Sequence, residues 1–145
     1  MKHYIENLCH TLHASFYRAE IEKLSKFLPY FETATMESVC KWTPAEKTGE
    51  KQVITPYPTY DKSLLGFIDE IYSSNFMYTD YMSTIQDLDG DLNIAIETAD
   101  LDLLRAILTY YVRAERFSDG AWAMAVEEKV FLKILRRLKE INKVE

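Results

Sequence analysis

The sequence predicts an all-α fold: a compact single-domain helical bundle of about six to eight helices, with a long loop or small hairpin around residues 34–60. Three observations carry that prediction. Apolar residues recur at the i, i+3, i+4, i+7 spacing over most of the chain. Glycine and proline number only four each, too few for a turn-rich β fold. At 145 residues, with 48% hydrophobic and 28% charged side chains, the chain has the size and composition of one ordinary globular domain.

Residues 3–17 place Ile5, Leu8, Cys9, Leu12 and Phe16 on one helical arc and Glu6, His10 and His13 on the opposite one. This N-terminal helix, within residues 1–18, is expected to sit at the periphery. Residues 19–31 repeat the pattern through Ile21, Leu24, Phe27, Leu28 and Phe31, but Pro29 must end or kink the helix near Leu28. From 34 to 60 the period is lost and Pro44, Gly49, Pro56 and Pro58 accumulate, so this stretch reads as a loop with a short hairpin around "KTGEKQVI". Trp42, Tyr57 and Tyr60 are the side chains that would anchor it to the bundle.

Asp61 is placed to cap a helix over 62–74, with Leu64, Phe67, Ile68, Ile71 and Tyr72 facing the core. Thr79 or Asp80 would cap a short helix through Ile85, "DLDGD" reads as a turn, and 91–98 as another short helical piece. Asp100 caps the longest helix, about 101–116, and Ser118-Asp119-Gly120 ends it while opening the next, which runs through Val126. The last helix carries Val130, Phe131, Ile134, Leu138 and Ile141 on its apolar side.

The long helix holds an anomaly. At about 100° per residue, Leu101, Leu104, Ile107, Leu108, Tyr111 and Val112 share one face. Asp102, Arg105, Thr109, Arg113 and Arg116 gather opposite. Glu115 falls near the middle of the apolar arc, where an unpaired carboxylate costs several kcal/mol and also meets the negative end of the helix dipole. It therefore needs a partner, and Arg137, flanking the apolar stripe of the last helix, is the candidate for a buried fork. On that reading Glu115 and Arg137 are structural. Arg113 and Arg116 in the last turn complement the same dipole, with anion binding as their alternative use.

These residues also carry a resemblance. "ADLDLLRAILTYYVRAERFSDGAWAMAVEEKVFLKILRRL", with the upstream "YPTYDKSLLGFIDEIYSSNFMYTDYMSTI", resembles an uncharacterised bacterial family catalogued as a domain of unknown function. The likeness runs from about Leu24 to Leu138. Its most specific part is Leu108-Thr109, then Arg113, Glu115-Arg116-Phe117 and Gly120, closed by Arg136-Arg137-Leu138. The chain departs from the family at Glu128-Lys129, where members often carry glycine. The resemblance implies an α-helical single domain and supplies neither a reaction nor catalytic residues.

Other constellations give less. "QDLDGDLNIAIE" places Asp87, Asp89 and Asp91 like a calcium loop, but glycine comes fourth instead of sixth and Glu97 eleventh instead of twelfth. Glu6, His10 and His13 share a face at i, i+4 and i+7 and are the residues a metal would use, although three ligands from one helix leave an open, strained site; no metal is assigned. No phosphate loop, nucleophile elbow, zinc helix or dinucleotide fingerprint is present, and no cofactor is implied.

The net charge of −6 and pI near 5.1 argue against a phosphate-binding surface, so nucleic acid is set aside as a partner despite "RRLK" at 136–139. Cys9 and Cys40 offer no disulfide framework. Glu6 and His10 interrupt what a secretory signal would need, and no apolar run approaches the roughly 20 residues of a span, so membrane is set aside and a cytoplasmic location expected.

The leading functional expectation is a small non-enzymatic protein-interaction module, a homodimer or one that binds another protein, using an aromatic groove among Tyr57, Tyr60, Tyr72, Tyr78, Tyr81, Tyr110 and Tyr111 or the face of the N-terminal helix. The alternative is an enzyme or anion-binding protein centred on Glu115 with Arg113, Arg116 and Asp119. There Glu115 and Asp119 would be the catalytic groups, and Arg113, Arg116, Tyr57 and Tyr60 the ligand contacts.

Overall fold

The computed structural model describes residues 16–44, 46–48, 52–88 and 90–143. Its elements in chain order are α1 (Arg18–Ser25), α2 (Leu28–Thr33), α3 (Met36–Val39), β1 (Cys40–Thr43), β2 (Glu46–Thr48), β3 (Gln52–Ile54), β4 (Tyr57–Tyr60), α4 (Lys62–Ser73), α5 (Tyr81–Gln86), α6 (Leu92–Ala95), a 3-10 turn (Ile96–Thr98), α7 (Leu101–Ala114), α8 (Ala121–Glu127) and α9 (Val130–Lys143). The fold is mostly helical, as the periodicity predicts. The expected helix over 3–17 lies almost wholly outside the described residues. At its end Phe16, expected in the core, is 65% exposed, while Tyr17 turns inward.

Pro29 separates α1 from α2. It occupies the first turn of α2, where its missing N–H has no intrahelical acceptor to lose. Between α2 and α4 the structure replaces the expected loop with order. Thr35 and Ser38 close a capping box on the one-turn α3, and an antiparallel ribbon follows.

Cys40 pairs with Tyr60 and Thr43 with Tyr57; further along, Glu46 pairs with Ile54 and Thr48 with Gln52. The partners keep one register along the whole ribbon, so the short hairpin around "KTGEKQVI" is the tip of a longer one. Alternation puts Cys40, Trp42, Pro58 and Tyr60 on the face toward the helices and Lys41, Thr43, Tyr57 and Thr59 on the other. Tyr57 is thus no anchor: it is 47% exposed.

Asp61 ends the ribbon and begins α4. Its carboxylate accepts the Leu64 N–H at 2.8 Å and the Tyr30 hydroxyl at 2.7 Å, and its own N–H donates to the Val39 carbonyl. Burial, followed by the bond to Asp61, pushes the Tyr30 hydroxyl well above its ordinary pKa. In α4 Leu64, Phe67, Ile68 and Ile71 are buried, whereas Tyr72, expected in the core, is exposed. Asp100 caps α7 as expected, and Asp91, read from sequence only as part of a turn, caps α6; Asp80 precedes α5 without a side-chain cap bond.

The core is one cluster of side chains from α1, α2, α4, α7, α8 and α9. Its centre is aromatic: Phe67 of α4 meets Phe27, Phe31 and Phe131 edge-on at 4.7–5.3 Å, joining α2, α4 and α9. α9 buries Val130, Phe131, Ile134 and Leu138, with Ile141 half-covered. Lys129, at the departure from the resembled family, sits in the left-handed region at φ 62°, the conformation glycine adopts freely. Its ammonium donates to the Ala34 carbonyl at 3.1 Å, tying the α8–α9 turn to the approach to α3.

Candidate functional site

The residues singled out from sequence converge on the turn between α7 and α8. Glu115 directly follows α7 and its side chain points inward, as its wheel position predicts, but its partners are not arginines. Oε1 accepts the Tyr60 hydroxyl at 2.7 Å and the Trp122 backbone N–H at 2.9 Å; Oε2 accepts the Gly120 N–H at 2.8 Å. The acid that closes α7 therefore caps α8, supplying the side-chain acceptor that its glycine N-cap cannot. The negative charge that is unfavourable at the end of one helix is favourable at the start of the next. Arg137 stands elsewhere, donating to the Ala99 carbonyl at 3.0 Å and to Glu140 at 3.1 Å, so the expected fork is not formed.

The ribbon closes over this turn. The Tyr60 ring packs on the Trp122 indole at 5.2 Å, and the indole N–H donates to the Val112 carbonyl at 2.9 Å, satisfying one acceptor in the last turn of α7. Trp42 lies against Gly120, whose φ of 90° needs a glycine. Burial, then the hydrogen bond to Glu115, pushes the Tyr60 hydroxyl far above its usual pKa. Burial and the Glu115 carboxylate also push up the Cys40 thiol, which is free and buried, so Cys40 is kept in its unreactive neutral form.

Arg113 and Arg116, on either side of Glu115 in sequence, each face an aromatic ring. The Arg113 guanidinium lies 5.6 Å from the Tyr81 ring and that of Arg116 5.9 Å from the Tyr72 ring. Arg113 Nε is closed off from solvent and has no hydrogen-bond partner. Asp119 is exposed on the turn, and Phe117, 81% exposed, is the most open large apolar side chain among the described residues. Glu6, His10 and His13 lie outside the described residues, among which no group of metal-ligating side chains forms and no helix is long and apolar enough to cross a membrane.

The helical wheel missed Arg105. Placed there on the polar face, it is only 8% exposed, and Thr109 only 1%. Arg105 donates to the carbonyls of Asn75, Phe76 and Met77 at 3.0–3.2 Å, and its guanidinium lies against the rings of Tyr17 and Tyr78. Thr109 Oγ1 accepts the Tyr78 N–H at 3.0 Å. The segment from 75 to α5 therefore covers what the period assigns to water. The available signal was the aromatic density of "FMYTDYM" beside a helix with two arginines at i and i+8.

No curated protein and no solved structure matches the chain. A family model does, across residues 17–144, which takes in the ribbon, the Glu115 turn and both arginines. The chain belongs to that family, described as a family of unknown function (DUF6508).

Proposed function

We propose that the chain is a small cytoplasmic, non-enzymatic protein-interaction module that presents the aromatic band around the 115–120 turn to a protein partner. One observation carries the reading: Glu115 has both oxygens engaged by structural donors, while the side chains flanking its turn are exposed and aromatic. Phe117 and Tyr72 adjoin Arg116, and Trp42 and Tyr57 stand on the ribbon. Large aromatic bodies open to water on a rigid base, three of the four here with a polar tip, suit interfaces. The free, neutral Cys40 agrees with a reducing compartment.

A second copy of the chain is the partner assigned first, because an exposed aromatic surface can pair with its own copy about a twofold axis. Size-exclusion chromatography with light scattering is expected to return a dimer, and Phe117→Ser with Tyr57→Ser a monomer of unchanged melting temperature. A strict monomer up to about 0.5 mM overturns the dimer form of the reading.

Arg113 supports a second reading, anion binding. Its shielded Nε lacks an acceptor, and neither it nor Arg116 forms an ion pair among the described residues. A thermal-shift screen of phosphate, sulfate and nucleotides, repeated on Arg113→Gln, tests it: stabilisation that the substitution abolishes supports it.

A further inference from the structure

A different part of the molecule holds charges of both signs that do not meet. Between α1 and α4 lies a cleft of about 350 Å³ bordered by Lys23, Lys26, Phe27 and Glu70. A smaller hollow of about 90 Å³ adjoins it, sharing Lys23 and Glu70 and continuing past Glu20, Ser73 and Ser74. Glu20 has one carboxylate oxygen, Oε2, shut off from solvent with no hydrogen-bond partner. Among the described residues Lys23, Lys26 and Glu70 form no ion pair, although Glu20 and Lys23 stand three residues apart on one helix.

The small hollow is rich in acceptors. The Ser73 hydroxyl proton is engaged by the Asp69 carbonyl, which leaves that oxygen as an acceptor, whereas the Ser74 hydroxyl donates to the Ile71 carbonyl and its oxygen already accepts the Phe76 N–H at 3.1 Å. With two carboxylates beside them, this end calls for a group with several N–H donors and a positive charge. Such a group gives the carboxylates, unpaired among the described residues, a counter-charge. The wider end offers the opposite: two ammonium groups for an anion and the half-buried Phe27 for an apolar side chain. Lys23 borders both ends, so a ligand must present its anion there while its cation keeps to Glu20, Glu70 and Ser73.

We propose that the α1–α4 cleft binds a free α-amino acid as its zwitterion. The α-ammonium sits among Glu20, Glu70 and the Ser73 oxygen, the α-carboxylate meets Lys23 and Lys26, and an apolar side chain lies on Phe27. Ligand pockets of a few hundred Å³ with a few convergent polar groups are of the right scale for one amino acid. This site is separate from the aromatic band and stands or falls without it.

The test uses the intact chain and L-phenylalanine, followed by saturation-transfer NMR and thermal shift. Saturable binding is expected, and both N-acetyl-phenylalanine, which lacks the ammonium, and phenylalanine amide, which lacks the carboxylate, bind at least about ten-fold more weakly. Glu20→Gln and Lys26→Met each lower the affinity by a similar factor; Lys26 is exposed, so its variant folds whatever becomes of Glu20. No saturable binding up to about 20 mM, equal binding of the blocked compounds, or unchanged affinity in both variants overturns the proposal.

Discussion

The indole of Trp42 stands on the α-carbon of Gly120: a β-carbon built there would come within 2.7 Å of Cζ2. Gly120 is thus held by contact as well as by its φ of 90°. Gly120→Ala is expected to destabilise by about 3 kcal/mol, part from the left-handed backbone and part from displacing the ring. In a Trp42→Ala background the same change should cost about 1 kcal/mol, the backbone share alone. Chemical denaturation of the four proteins measures both; an equal cost in the two backgrounds refutes the contact.

Glu115 links the ribbon, α7 and α8. Glu115→Ala leaves two backbone N–H groups and the Tyr60 hydroxyl without their acceptor and is expected to cost about 3 kcal/mol. Tyr60→Phe should cost about 1.5 kcal/mol, and the double variant less than the sum. Arg137→Ala, by contrast, should add to Glu115→Ala without coupling, since the two side chains have no partner in common. A double-mutant cycle by urea unfolding decides: coupling to Arg137 and none to Tyr60 would reverse the assignment.

Arg105 grips three consecutive carbonyls that a single ammonium cannot span. Arg105→Lys is therefore expected to lose about 2 kcal/mol despite keeping the charge. Hydrogen exchange should quicken at the Tyr78 amide and through α5 while the α9 amides keep their relative protection. Uniform loss of protection across both helices would contradict a local staple.

Tyrosines give the protein a ceiling in pH. Tyr30, Tyr60 and Tyr111 all have raised values in the folded chain, Tyr111 pushed up to about 12 by burial and then by Glu128. Above the ordinary value near 10 the unfolded chain releases these protons first, so the folded form binds more of them. Their stabilising contribution is complete below that pH and drains as pH rises through the folded values. Stability should thus fall from about pH 10 upward, by at most about 1.4 kcal/mol per pH unit for each tyrosine. Tyr60→Phe should make the fall shallower; an unchanged slope argues against its bond to Glu115.

Much of the helical frame was legible because it follows from spacing. Ile21 and Leu24, Leu64 to Ile71, Leu104 to Val112, and Val130 to Leu138 are buried where a period of 3.6 places them. Glu115 was legible as an anomaly for the same reason. Its partners were not, since two are main-chain N–H groups, which every residue but proline carries and which leave no mark in composition. Arg105 and Thr109 were misplaced because a helical wheel knows distance from the apolar arc, not which segment folds over the other side. The ribbon was under-read because Pro44, Pro56 and Pro58 resemble loop punctuation, and only pairing reveals that Pro58 faces Trp42 within a ladder.

The hydrogen bonds that Arg105 makes to the 75–77 stretch all go to main chain. Carbonyl oxygens are the same whatever side chain stands beside them, so the identities of Asn75 and Met77 are immaterial to the grip, whereas the arginine has no substitute. Asn75 and Met77 can therefore drift without breaking these bonds, while Phe76, buried in the core, and Tyr78, stacked on the guanidinium, stay tied to the crossing by their own side chains.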